Sequence, residues 1–192
     1  MSLWSLTSMN KLFVTDLDGT LLHPDGTVSD YSYETLKEML ENHFPLTVAT
    51  ARTPLSVLPI LRGLPFCLPF IVLNGAVLYD PTADRILSGA VISREAFLKI
   101  CCIYQEFDIN GFVFCVADQH FRIGYTTLST ENMKAYYNER QAEHADLFFS
   151  VPALENLADQ QPVFLSIHGK KHIIDPVYAA VSGTDGINAT YY

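Results

Sequence analysis

Two aspartates, Asp16 and Asp18, stand two residues apart in FVTDLDGTLL (13–22), directly after an apolar run and directly before Gly19. In an extended segment, positions i and i+2 share one face, so both carboxylates point the same way and Leu17 points into packing. Gly19 frees the backbone to turn, and Thr20 can cap the next turn of chain. Two carboxylates this close repel unless a cation or a shared proton lies between them. Magnesium suits the pair, because it prefers hard oxygen ligands and keeps waters and substrate oxygens in its shell. A calcium loop fails the count: starting at Asp16, Leu21 falls where the obligatory glycine belongs and Thr27 where a bidentate glutamate belongs. A turn bearing surface acids is the bland alternative for the pair taken alone.

A second group lies at Thr50-Ala51-Arg52 and a third at Asn74-Gly75. A threonine hydroxyl and the N–H groups of a strand-to-helix turn can bind phosphoryl oxygens, and Arg52 adds a charged donor for a substrate anion. Ordinary helix capping, a surface arginine and a tight turn are the bland readings of the same residues.

These residues need strands to present them. Lys11–Thr15, Pro45–Ala49 and Phe70–Leu73 are short apolar runs without polar alternation, as in a parallel sheet covered on both faces. Between them, 29–42 places Tyr33, Leu36, Met39 and Leu40 at helical spacing, and Thr53-Pro54 opens a short helix to Arg62, with Pro59 inside it. Strands alternating with helices predict a doubly wound α/β domain whose ligand site lies at the carboxyl ends of the strands, where all three groups fall.

After Asn74 the texture changes. AVLYD and RILSGAV read as a hairpin joined by 81–84, and 93–107 reads as a helix with Phe97, Ile100, Cys101, Tyr104 and Phe107 inward. A second hairpin over 111–116 and 120–125 alternates Phe112, Phe114, Phe121 and Tyr125 as a strand core does. A helix over 129–143, a strand over 162–167, a short helix over 174–181 and a last strand over 187–192 complete a separate α+β unit. The predicted division is 1–79 for the N-terminal part of the core and 80–192 for a cap.

Composition sets limits. Of 192 residues, 49% are hydrophobic, which suffices for one large or two small cores. Charged residues are 17%, below the roughly 25% of an average domain, while aromatics reach 12%. A net charge of -9 excludes long-range attraction to nucleic acid or an anionic membrane. Cys67, Cys101, Cys102 and Cys115 show neither CxxC nor zinc spacing, so reduced thiols in the cytoplasm are expected. The start MSLWSLTSMN has no secretory pattern, and the longest apolar run, 64–73, is too short to span a membrane and holds Pro65 and Pro69. Of the six histidines, His168 and His172 stand four apart in SIHGKKH but fall in different predicted elements, and no pair has HxH spacing.

DLDGTLL, then VATAR (48–52), then IVLNGA (71–76) resemble the haloacid dehalogenase-like hydrolase superfamily, in particular its Cof-type sugar-phosphate phosphatase branch, in motif order and spacing. The resemblance implies a HAD-like core with an α+β cap inserted after the third strand. It implies Asp16 as nucleophile, Asp18 as general acid and base, and Mg2+ held by the Asp16 carboxylate and the Asp18 backbone carbonyl. It further implies Thr50, Ala51, Arg52, Asn74 and Gly75 as contacts to a small phosphorylated metabolite. A phosphotransferase or phosphomutase shares the nucleophile, and a non-catalytic phosphate-binding module shares the pocket. Ala51 stands where the family commonly has glycine. The family also carries a lysine and an acidic GDxxxD-like motif after the cap, and this chain reaches Ala189-Thr190-Tyr191-Tyr192 before either; Lys170, Lys171 and Asp185-Gly186 read as turns. The expectation is a nearly inactive fragment whose first strand becomes an exposed apolar edge, which self-associates or is completed by a partner chain.

Overall fold

A computed structural model describes residues 11–191, and the reading of MSLWSLTSMN lies outside them. The chain divides into two compact units, one running to Ser88 and the other starting at Gly89.

In the first unit, β1 (Phe13–Thr15) pairs in parallel with β2 (Leu46–Val48), and a parallel bridge from Ala49 to Ile71 joins β2 to β3 (Phe70–Val72). The helix α1 (Asp30–Glu41) begins where Ser29 accepts from the Ser32 N–H, and it buries Leu36 and Leu40. α2 (Pro54–Ile60) begins with Pro54 in its first turn, where the missing N–H has no intrahelical partner in any case, and continues through Pro59. Thr53 precedes it without a capping bond; its hydroxyl faces that of Ser56 at 3.3 Å. Val48, Val57 and Val72 are fully buried, so the βαβ reading is sound.

The expected hairpin is β4 (Val77–Asp80) and β5 (Arg85–Gly89). It belongs with the first unit: β4 runs antiparallel against β3, and β3, β4 and β5 form one sheet. The compact-unit boundary therefore falls at Ser88, later than the expected 79, because backbone pairing to β3 holds the hairpin there.

The second unit is a four-stranded sheet in the order β8 (Phe148–Ser150), β7 (His120–Tyr125), β6 (Gly111–Ala117), β9 (Pro162–Ile167). Asp118 and Gln119, both at positive φ, close the β6–β7 turn, which matches the twist of a two-residue hairpin. On one face α3 (Arg94–Glu106), α5 (Lys171–Ser182) and a turn of 3-10 helix (Leu154–Leu157) bury Phe97, Ile100, Cys101, Tyr104 and Val177 against Val113 and Cys115. The aromatic side chains of Phe112 and Phe114 are fully buried too, and α4 (Glu131–His144) brings Tyr136 within 5.1 Å of the Phe112 ring.

Three expectations in this unit change. Phe107 caps the end of α3 and is 38% exposed, since it lies past the last turn that faces the sheet. Residues 187–191 form no strand, and the Ile187 N–H turns back onto the Thr184 carbonyl at 3.2 Å; Tyr192 lies outside the described residues. β8 was not foreseen, and α5 is longer than the expected 174–181.

Candidate active site

The loop after β1 carries both aspartates. Leu17 is fully buried, while Asp16 and Asp18 are exposed, which is the alternation that the i, i+2 argument requires. Asp16 stays extended (φ -78, ψ 163), and one carboxylate oxygen accepts the Leu17 N–H at 2.7 Å. Gly19 turns the chain at φ 73, and the Leu22 N–H closes the loop onto the Leu17 carbonyl at 2.9 Å.

The second and third groups are knitted to each other by backbone. Thr50 donates its N–H to Ile71 and accepts the Asn74 N–H, while Leu73 donates to the Arg52 carbonyl at 3.1 Å. Thr50 is 5% exposed, and its hydroxyl accepts the Arg52 N–H at 3.2 Å, which holds the turn that also contains Ala51. Leu73, Asn74 and Gly75 all have positive φ. For a leucine this conformation is strained, and such strain persists only where the surroundings fix it. Sequence reasoning missed Leu73, since an apolar residue before Asn-Gly gives no sign of a left-handed backbone.

Arg52 joins the first group to the second. Its Nε and one terminal nitrogen donate to the two Asp18 carboxylate oxygens at 2.8 and 2.7 Å, a bidentate fork. The hydrogen bonds from Arg52 hold the Asp18 carboxyl below the usual carboxylate range, against a smaller opposing effect of burial. The sequence reading named both residues without foreseeing that they pair. Gly26, at φ 81, lies beside the guanidinium: a Cβ there would sit 4.0 Å from the Arg52 terminal nitrogen. The Asp25-Gly26 turn is the one sequence signal for it.

The model of the haloacid dehalogenase-like hydrolases matches residues 13–179, from the strand that carries Asp16 into α5. The chain belongs to that family. Among its relatives, pyridoxal phosphate phosphatase YbhA of Escherichia coli is 30% identical over 104 residues, covering 54% of this chain and 38% of that protein. The 5-amino-6-(5-phospho-D-ribitylamino)uracil phosphatase YwtE of Bacillus subtilis is 31% identical over 86 residues, covering 45% and 29%. The fold is shared with TM0651 of Thermotoga maritima at a TM-score of 0.65 and 21% identity, over 91% of this chain and 62% of that one. The chain thus matches less than two thirds of the length of each. Motif order and these relatives place this haloacid dehalogenase-like hydrolase in the Cof-type branch.

A divalent cation would meet a limited donor set here. The Asp16 carboxylate has one oxygen not engaged by Leu17, and the Asp18 backbone carbonyl lies on the same loop, whereas the Asp18 carboxylate is held by Arg52. Among the described residues no cluster of three or more His, Cys, Asp or Glu side chains could hold a metal. Two hard oxygens with the remainder from water and phosphate suit magnesium, which seldom has an all-protein cage. Lys170 precedes α5 and Lys171 opens it, paired with Asp175 at 3.4 Å, as fits helix-start residues. No described helix is long and apolar enough to cross a membrane.

Proposed function

We propose that the protein is a magnesium-dependent phosphatase of small phosphorylated metabolites, sugar phosphates foremost. The observation that carries this reading is the pair of exposed aspartates, Asp16 and Asp18, on the β1 loop with Leu17 buried between them. The similarity to YbhA and YwtE, phosphatases named for phosphate monoesters, supports it.

In this reading an Asp16 carboxylate oxygen attacks phosphorus, and the bond to the leaving oxygen breaks as Asp18 protonates it. Water then attacks the aspartyl-phosphate, giving its proton back to Asp18 and restoring the Asp16 carboxylate. Asp16 and the Asp18 carbonyl would hold the magnesium, which neutralises charge on the phosphoryl oxygens. Thr50 and the turn at Ala51 orient the phosphoryl group, while Asn74 and Gly75 line the substrate. Asp18 can donate a proton only after leaving Arg52, and the incoming dianion supplies the guanidinium with a replacement partner.

The test is hydrolysis of p-nitrophenyl phosphate with and without magnesium, by this chain and by any longer natural form, beside Asp16→Asn in each. Turnover that needs both magnesium and Asp16 supports the reading; turnover that survives Asp16→Asn removes the nucleophile. Transfer of the phosphoryl group to an added sugar in preference to water would instead favour a phosphotransferase or phosphomutase.

The bidentate Arg52–Asp18 pair favours one further reading, a non-catalytic phosphate-binding module, since it occupies the proposed acid. Phosphate binding retained in Asp16→Asn without turnover in any form would select it. A cytoplasmic location is part of the proposal and rests on the four free cysteines. Self-association through β1 is another part: Leu12, Phe13 and Val14 are 59%, 40% and 47% exposed beside a strand paired on one side with β2. Sedimentation of the chain should show a species larger than the monomer that Val14→Lys reduces, and a monomer at every concentration would remove this part.

A further inference from the structure

His168 comes directly after β9 in the second unit, and two separate points of α4 meet on it. At the helix start, the Thr130 hydroxyl accepts the Met133 N–H at 3.1 Å as a cap and donates to the His168 carbonyl at 3.4 Å. Further along, the Tyr136 ring lies 5.6 Å from the imidazole at an interplanar angle of 33°, and the Arg140 guanidinium sits 3.8 Å from the centre of the Tyr136 ring. Phe112 of β6 closes the imidazole edge-on at 6.3 Å. The Nε2 atom is buried and has no hydrogen-bond partner among the described residues.

Beyond these contacts, α4 meets the sheet through Tyr136 on Phe112 and Phe148 and through Tyr137 on Phe148 and Tyr125. Its sequence, ENMKAYYNERQAEH, has no apolar stripe, and Met133 is the one side chain that is fully buried among those described in it. A helix so polar is held by packing at its few anchored points.

We infer that His168 is an acid-sensitive latch: its neutral ring clamps α4 onto the sheet, and its protonation releases α4 locally while the strands stay paired. A second proton would place an N–H where no acceptor faces it among the described residues and a positive charge in a partly buried site close to Arg140, both of which are unfavourable. Consistent with this, burial and then Arg140 hold His168 below the ordinary histidine range. Among the described residues, no acidic side chain is bonded to the imidazole. β6 contributes Phe112, β9 has no charged residue, and α4 contributes Tyr136 and Arg140, the latter paired with the exposed Glu139 at 3.1 Å.

Linkage fixes the sign. A histidine held neutral in the folded state contributes its full stability above the ordinary value of about 6.5, and that contribution falls as pH drops below it, by at most about tenfold per unit.

Amide hydrogen exchange of the full chain at pH 7.5 and 5.5, corrected for intrinsic rates, tests the latch without reference to catalysis. Protection of the α4 amides should fall by up to about tenfold while β6 and β7 keep theirs, His168→Phe should flatten the fall, and His144→Gln should leave it. Equal protection at both pH values in the wild type, or the same fall in His168→Phe, overturns the proposal. Should His168→Phe not fold, the imidazole titration of the wild type by NMR decides: a midpoint below that of free histidine supports the latch, and one at or above it overturns it.

Discussion

In the unit that ends at Ser88, the strand leading to Asp16 leaves Leu12, Phe13 and Val14 in solvent, whereas in the unit that begins at Gly89 the strand β6 hides Phe112, Val113, Phe114 and Cys115 on both faces. The first unit places its polar chemistry on loops fixed by backbone bonds, with Thr50, Arg52, Leu73 and Asn74 tied to one another. The second has its order in side-chain packing. Burial in an apolar setting pushes the thiol of Cys115 up to about 12, so that it behaves as a small apolar residue. The difference teaches that the two units should fail separately, one losing chemistry and the other losing structure.

The largest effect separates function from stability. Asp16→Asn should reduce phosphatase turnover by about 10³-fold or more in a form that is active, and leave the urea midpoints of both units unchanged, because the side chain is exposed. A shifted midpoint would show that the carboxylate is structural. Next, Phe112→Ala should destabilise the second unit by about 3–5 kcal/mol, read from its urea transition, while the first unit keeps its own. A single shared transition shifting as a whole would break the comparison.

Smaller effects sharpen it. Lowering the pH from 7.5 to 5.5 should weaken the second unit where His168 is present and not where it is phenylalanine, since the protonated ring has no acceptor among the described residues. Helix caps then test both units with one chemistry: Ser29→Ala in α1 and Ser93→Ala in α3 each remove a hydroxyl that accepts a backbone N–H, at 3.1 and 3.2 Å. Each should cost about 1 kcal/mol, confined to its own unit by urea unfolding.

How far the sequence could be read depended on the range of the interaction. The alternation that exposes Asp16 and Asp18 around Leu17 is a property of one strand end, so it was legible. The starts of α1 and α3 were legible because Ser29 and Ser93 act within one turn. The strand expected over 187–192 is absent from its described residues, where a turn bond from Ile187 to Thr184 takes the backbone instead, since β propensity is a weak preference that context overrides. β8 was missed because three residues, Phe148–Ser150, give too short a pattern after a helix.

What the sequence determined by itself was therefore the set of short-range facts: the strand and helix periods, the caps, the glycine turn after Asp18 and the motif order that defines the family. Tertiary structure alone decided that Arg52 grips Asp18, that Leu73 takes a left-handed backbone, that the hairpin 77–89 stays with β3 and that α4 docks on His168. Each of these joins residues distant in the chain or holds a residue against its own preference. Such an arrangement gains its free energy only when the other partner is already in place, and no local pattern records it.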